Sequence, residues 1–192
     1  MRNFLLALSA LFLLTSCGMR SIPLSLNDVD ASWAEVQNQY KRRADLIPNL
    51  VEVVKGYAKH ERETLEGVIS ARAEATKVNI SADQLNEETL AKFQKAQMGL
   101  SAALGKLMMV TERYPDLKAN QNFRDLQIQL EGTENRITVA RNRYIQSIQQ
   151  FNNLVTAPPE SWYNSLFLKH PKKPQFAVEN LEKVQDAPAV KF

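Results

Sequence analysis

Apolar residues recur at intervals of three and four along most of this chain, and the pattern divides into a few long segments. The first runs through Trp33, Val36, Tyr40, Ala44, Ile47, Val51, Val54, Ala58, Leu65 and Val68 to Arg72, with Glu61 interrupting between Ala58 and Leu65. Such spacing places one apolar face on a helix of 3.6 residues per turn. Asn27 or Asp28 is the predicted start, because either side chain accepts from a free backbone N–H at a helix beginning. Pro48 removes the hydrogen bond to the carbonyl of Ala44, so a kink or break is expected there. The stripe keeps its register across Pro48, which favours one kinked helix over two separate ones.

Asn79 to Asn86 is polar and reads as a loop, and Asn86-Glu87-Glu88-Thr89 marks a new helix start. The second stripe is Leu90, Phe93, Gln97, Leu100, Leu104, Leu107, Thr111 and Tyr114, ended by Pro115. A third begins near Asn120 and runs Phe123, Leu126, Leu130, Thr133, Ile137, Ala140, Tyr144, Ile148, Phe151 and Leu154 until Pro158-Pro159. Ser161 to Leu168 reads as a short fourth helix with Trp162, Leu166 and Phe167 on its apolar side. From Lys169 the pattern lapses, and Pro171, Pro174 and Pro188 argue for an extended tail. In that tail Phe176, Val178, Leu181, Val184, Val190 and Phe192 are handles for lying along a bundle. Each stripe is incomplete alone and must bury against the others. The expected fold is therefore all-α: an antiparallel bundle of three long helices, counted as four if Pro48 splits the first, with the short fourth helix and the tail.

The N-terminus follows a different rule. Arg2 precedes an apolar run from Phe4 to Leu14 of 11 residues, whereas a bilayer span needs about 20. A short apolar core behind a positive start reads as an export signal. Leu14-Thr15-Ser16-Cys17 then matches a bacterial lipobox, in which the cysteine is linked to diacylglycerol before cleavage. The expected division is a lipoprotein signal peptide at 1–16, a lipidated tether at 17–26, the helical bundle at 27–168 and the tail at 169–192. Cys17 is the single cysteine among 192 residues, so acylation leaves no thiol for disulfide or redox chemistry.

Charge adds little to this picture. The formal surplus is +3, and bases alternate with acids as on solvated helix faces. Lys41-Arg42-Arg43 and Lys169-His170-Pro171-Lys172-Lys173 are the two basic clusters. Neither forms the stripe with stacking aromatics that nucleic-acid binding requires, so no nucleic-acid partner is expected. Two histidines, His60 and His170, supply no paired Glu-x-x-His motif, and the chain lacks phosphate loops and nucleophile elbows. No catalytic residue, metal or cofactor is implied. What stands out is a set of polar residues on or beside the stripes: Arg43, Asp45, Asn49, Glu61, Arg72, Glu134, Asn135, Arg136 and Arg141. They read either as ion pairs that fix helix register or as a pocket or partner-binding surface between helices. If the third stripe runs antiparallel to the first, Glu134 or Asn135 is expected to pair with Arg43 or Asn49.

At these same residues the chain resembles the LemA family of bacterial envelope proteins. The resemblance rests on Trp33-x-x-Val36, Gln39-Tyr40, Arg43-x-Asp45-Leu46-Ile47-Pro48-Asn49, Gly56, His60-Glu61, Ala71-Arg72, Tyr114-Pro115-Asp116 and Lys118-Ala119-Asn120. Thr133-Glu134-Asn135-Arg136, Ala140-Arg141-x-x-Tyr144, Phe151-Asn152, Phe176 and Ala187-Pro188-x-Val190-x-Phe192 extend it to the end of the chain. Two departures are visible: family members usually carry an uncleaved N-terminal membrane helix, and Ile145 stands where they tend to have asparagine. The resemblance implies an all-helical, membrane-tethered domain without established enzymatic activity, linked to envelope stress, membrane proteases or membrane organisation. The resulting expectation is a lipid-anchored, extracytoplasmic scaffold or adaptor that binds envelope or membrane proteins. The competing expectation is a ligand- or metal-binding protein or enzyme that uses the Arg43/Asp45/Asn49 and Glu134/Arg136 neighbourhood.

Overall fold

The structure, a computed structural model, describes the backbone of residues 2–176 and the side chains from Arg20 to Phe176. Four long helices, α1 (Arg2–Tyr57), α2 (Arg62–Lys77), α3 (Glu87–Thr111) and α5 (Gln121–Thr156), are joined by short turns. Between and after them lie α4 (Pro115–Ala119) and α6 (Glu160–Tyr163), a 3-10 turn at Ala82–Gln84 and a π turn at Asn164–Leu168. No strand occurs among the described residues. Residue pairings give the directions. Trp33 meets Ile80 and Arg72 meets Ala44, so α2 runs back along α1. Gln97 meets Ala75 and Arg113 meets Glu61, so α3 reverses again. Arg43 meets Glu134 and Tyr57 meets Asn120, so α5 is antiparallel to α1. The result is an up-down-up-down bundle.

The helix boundaries at Asn86, Pro115, Asn120 and Pro158 form as their local chemistry predicts. Asn86 accepts from the Thr89 N–H at 2.9 Å while its own N–H donates to the Thr89 hydroxyl at 3.0 Å, a reciprocal cap. Pro115 takes the first position of α4, where its missing N–H costs nothing. Asn120 caps α5 by accepting from the Phe123 N–H at 3.0 Å.

Two boundaries differ from the sequence reading. The first stripe is two helices, and the break falls at Ala58–Glu61 instead of Pro48. Ala58 closes the last turn of α1 on the Val54 carbonyl at 2.8 Å, and Leu65 bonds back to Glu61 at 3.1 Å to open α2. This tight reversal is about one helical turn long in sequence, so apolar residues on both sides keep helical spacing while belonging to separate helices. The second difference is at the start. The segment read as a tether is already helical, with Ile22 and Ser25 buried. Ile22, Ser25, Val29 and Trp33 carry the stripe backwards at intervals of three and four, and Pro23 points to solvent between them. The helix therefore starts well before Asn27. The predicted short helix is present over the expected stretch, as α6 continued by the π turn to Leu168. Phe176 is buried, as the tail reading expects. The Cys17 side chain and Val178, Leu181, Val184, Val190 and Phe192 lie outside the described residues.

Candidate functional site

The buried apolar residues form two clusters stacked along the bundle. One contains Ile22, Val29, Trp33, Val36, Tyr40, Phe93, Ile137 and Tyr144. The other contains Ile47, Leu50, Val54, Leu100, Leu107, Phe123 and Leu130. Between them, at the same height on α1, α3 and α5, lie Arg43, Gln97 and Thr133, all buried. A single polar layer thus divides the core.

Arg43 is its centre, with 3% of its surface exposed. Its Nη1 donates to Ser101 Oγ at 3.0 Å and to Glu134 Oε2 at 3.0 Å. Its Nη2 donates to Gln97 Oε1 at 2.8 Å and to the Gln97 carbonyl at 3.3 Å. Gln97 in turn donates from Nε2 to the Ala75 carbonyl at 3.3 Å, so α1, α2, α3 and α5 are tied in one network. The guanidinium also lies 5.1 Å from the Tyr40 ring centroid. The pair with Glu134 is asymmetric: the arginine is desolvated, whereas the glutamate side chain is 57% exposed.

Arg43 forms one wall of a cleft of about 340 Å³ that also includes Tyr40, Ser101, Glu134, Arg141 and Phe176. Arg141 lies 4.6 Å from the Phe176 ring centroid, so the tail folds over the cleft on a cation–π contact. Burial pushes the Tyr40 hydroxyl above the ordinary value of 10.0, against the opposing positive charges of Arg141 and Arg43. Burial likewise raises Tyr144, whose hydroxyl donates to the Pro174 carbonyl at 3.3 Å.

The remaining candidates separate from this centre. Arg72 Nε donates at 2.7 Å to the carbonyl of Ala44. That carbonyl is the one whose helical partner Pro48 removes, so an arginine from α2 replaces the missing N–H and the helix continues through the proline. Glu61 belongs to the far end of the bundle, where its Oε1 accepts from Arg113 Nη2 at 2.8 Å and the Tyr114 hydroxyl at 3.2 Å. Asp45 and Asn49 are exposed on α1. Asn135 and Arg136 are exposed on α5 and line a shallow groove with Glu35 and Gln39, and Arg136 Nη2 reaches the edge of the polar layer by donating to Thr133 Oγ1 at 3.0 Å. The Arg43–Glu134 pairing expected from sequence is present, whereas Asn135 and Asn49 take no part in it. The arrangement missed from sequence is the role of Gln97 and Ser101; the available signal was a glutamine on an otherwise apolar stripe.

The Arg72 contact makes a measurable prediction. Arg72→Ala should destabilise the protein by about 1.5–3 kcal/mol, the range for a hydrogen bond from a charged donor. In a Pro48→Ala background, the new alanine can supply the backbone N–H itself, and the same substitution should cost much less. Chemical denaturation of the two single variants and the double variant reads the coupling; additive losses would show that Arg72 does not substitute for the proline's absent donor.

The sequence model of the LemA family matches residues 32–192. The chain belongs to the LemA family. All the residues of the polar layer fall inside the matched span, and the N-terminal segment ahead of residue 32 falls outside it. Protein LemA of Metamycoplasma hominis is 25% identical over 129 residues, which cover 67% of this chain and 55% of that protein. This LemA chain therefore aligns with about half the length of that curated relative. Among the described residues no group of three or more His, Cys, Asp or Glu side chains is placed to hold a metal ion. Among the same residues no helix is long and apolar enough to cross a membrane.

Proposed function

We propose that this LemA protein is a lipid-anchored envelope protein whose helical bundle acts as a non-enzymatic scaffold or adaptor for other membrane proteins. The observation that carries this reading is the internal use of the polar layer. Arg43, Gln97 and Ser101 satisfy one another and a backbone carbonyl, and Arg72 satisfies another, which is what register-fixing groups do. A bundle so constituted acts through its outer faces. Anchoring is read from Leu14-Thr15-Ser16-Cys17, and Gly18 in place of an aspartate after the cysteine favours the periplasmic face of an outer membrane in a two-membrane host.

Crosslinking in intact cells followed by mass spectrometry tests the adaptor role: reproducible crosslinks to envelope proteins are expected, and stoichiometric metal or small molecule in the purified protein would overturn it. Cys17→Ser should leave a full-length precursor and abolish labelling by a fatty-acid probe. One acyl chain anchors only marginally, whereas the two or three of a mature lipoprotein hold firmly. Recovery of the labelled mature form mainly in the inner membrane would contradict the sorting assignment. A second reading, ligand binding in the cleft over Arg43 and Arg141, is favoured by one feature: Arg43 Nε is buried without a hydrogen-bond partner in the described structure.

A further inference from the structure

The end of the bundle where α1 begins carries an apolar ridge held out into water. Trp162 is 64% exposed, Leu166 71% and Phe167 69%. These residues follow the α5 terminus, on a segment packed against α1 and α5. Glu160, at its start, shares a groove with Ser21, Leu24, Ser25 and Asp28 of α1, and Leu24 adds a further half-exposed apolar side chain there. The ridge is built. Asn164, buried beneath it, donates from Nδ2 to the His170 carbonyl at 3.0 Å and accepts the His170 N–H at 3.0 Å. Lys169, at φ 55, closes the π turn on the Asn164 carbonyl at 2.6 Å. A buried asparagine and a left-handed lysine thus fix a loop whose largest side chains stand mostly in water, with Phe167 against Tyr163 at 4.9 Å between ring centroids.

Charge and position identify the occupant. Lys169 and Lys172 are exposed directly after the ridge, and Arg20 is exposed on α1 one position before Ser21, which lines the adjoining groove. Lys173 is engaged with the Ala82 carbonyl and is discounted, and Glu160 and Asp28 are the nearby acids. Trp, Phe and Leu flanked by bases is the composition of a surface that settles at a bilayer interface. Cys17 precedes Leu24 on the same helix by seven positions, about 10 Å at 1.5 Å per residue. From His170 to Phe176 the chain leads away from the ridge, toward Tyr144 and Arg141.

We infer that Trp162, Leu166 and Phe167, with Lys169 and Lys172, form a docking surface for an anionic lipid bilayer, a second contact beside the N-terminal anchor. The orientation rests on the anchor reading, but the contact is read separately. The processed protein is reconstituted into phosphatidylcholine vesicles, with and without phosphatidylglycerol, containing bromine-labelled lipid. Trp33 is buried, so tryptophan quenching reports Trp162, and Trp162→Phe supplies the background. The expected result is quenching absent from Trp162→Phe, greater in the anionic vesicles because each exposed lysine is attracted to them, and lost in Leu166→Ser/Phe167→Ser. These substitutions lie on exposed positions and leave the core untouched. Absence of quenching overturns the inference. So does a blue shift without quenching that depends on protein concentration, which would make the ridge a protein–protein contact. Fatty-acid labelling at Cys17 reports the anchor independently, so loss of one reading does not imply loss of the other.

Discussion

Arg43→Ala should lower the stability of the bundle by about 3–5 kcal/mol, because it removes several hydrogen bonds from one buried charged donor, each worth about 1.5–3 kcal/mol. For a protein of this size that is a fall in melting temperature of roughly 6–20 °C. The substitution leaves the buried Gln97 Oε1 without its donor, while the Gln97 carbonyl keeps Ser101 Oγ at 3.2 Å, and it opens a void between the two apolar halves of the core. Glu134→Ala should cost about 1 kcal/mol or less, because an exposed partner contributes little. Its carboxylate is already half in water, and Arg43 keeps Gln97 and Ser101. Thermal unfolding of both variants decides the matter. Equal losses would mean that the ion pair, and not the arginine's burial, carries the energy; negligible losses in both would point to a binding role for the cluster.

Trp33→Ala should be of similar severity, about 3–5 kcal/mol, as for other buried large-to-small changes. The indole is 1% exposed. Its ring lies 5.3 Å from Phe93 and from Tyr144 and 6.2 Å from Phe176, so it joins α1, α3, α5 and the tail. Its Nε1 also donates to the Ile80 carbonyl at 2.8 Å, tying down the loop between α2 and α3. The variant should lose cooperative unfolding at its usual temperature. Trp33→Phe should retain most of the packing but lose that hydrogen bond, and denaturant titration separates the two contributions. A Trp33→Phe protein as unstable as Trp33→Ala would assign the whole effect to the bond.

What was legible in the sequence was local. Stripes, caps at Asn86 and Asn120, and stops at Pro115 and Pro158 each depend on residues within a few positions of one another. The hairpin at Ala58–Glu61 was hidden because a reversal of one turn's length preserves helical spacing, and only Glu61 hinted at it. Pro48 looked disruptive because its remedy, Arg72, comes from another helix and acts on a backbone carbonyl that leaves no mark in the sequence. The site divides the same way. Arg43 and Glu134 could be paired from antiparallel geometry, but their height relative to Gln97 depends on loop lengths. Glu61 shared the first stripe with Arg43 without sharing a place, since periodicity gives a face and not a height.

Under the proposed lipid anchoring, the unbroken α1 has a consequence for geometry. Ile22 to Tyr57 spans roughly 50 Å at 1.5 Å per residue, with no hinge of loose chain between the N-terminal end of this span and the core. Anchored as proposed, the protein would be a rigid spar and not a ball on a string: each height along it keeps a set distance from the anchored end. Under that anchoring, a partner clasping the Glu61–Arg113–Tyr114 tip must itself project to that height or be rooted in another layer.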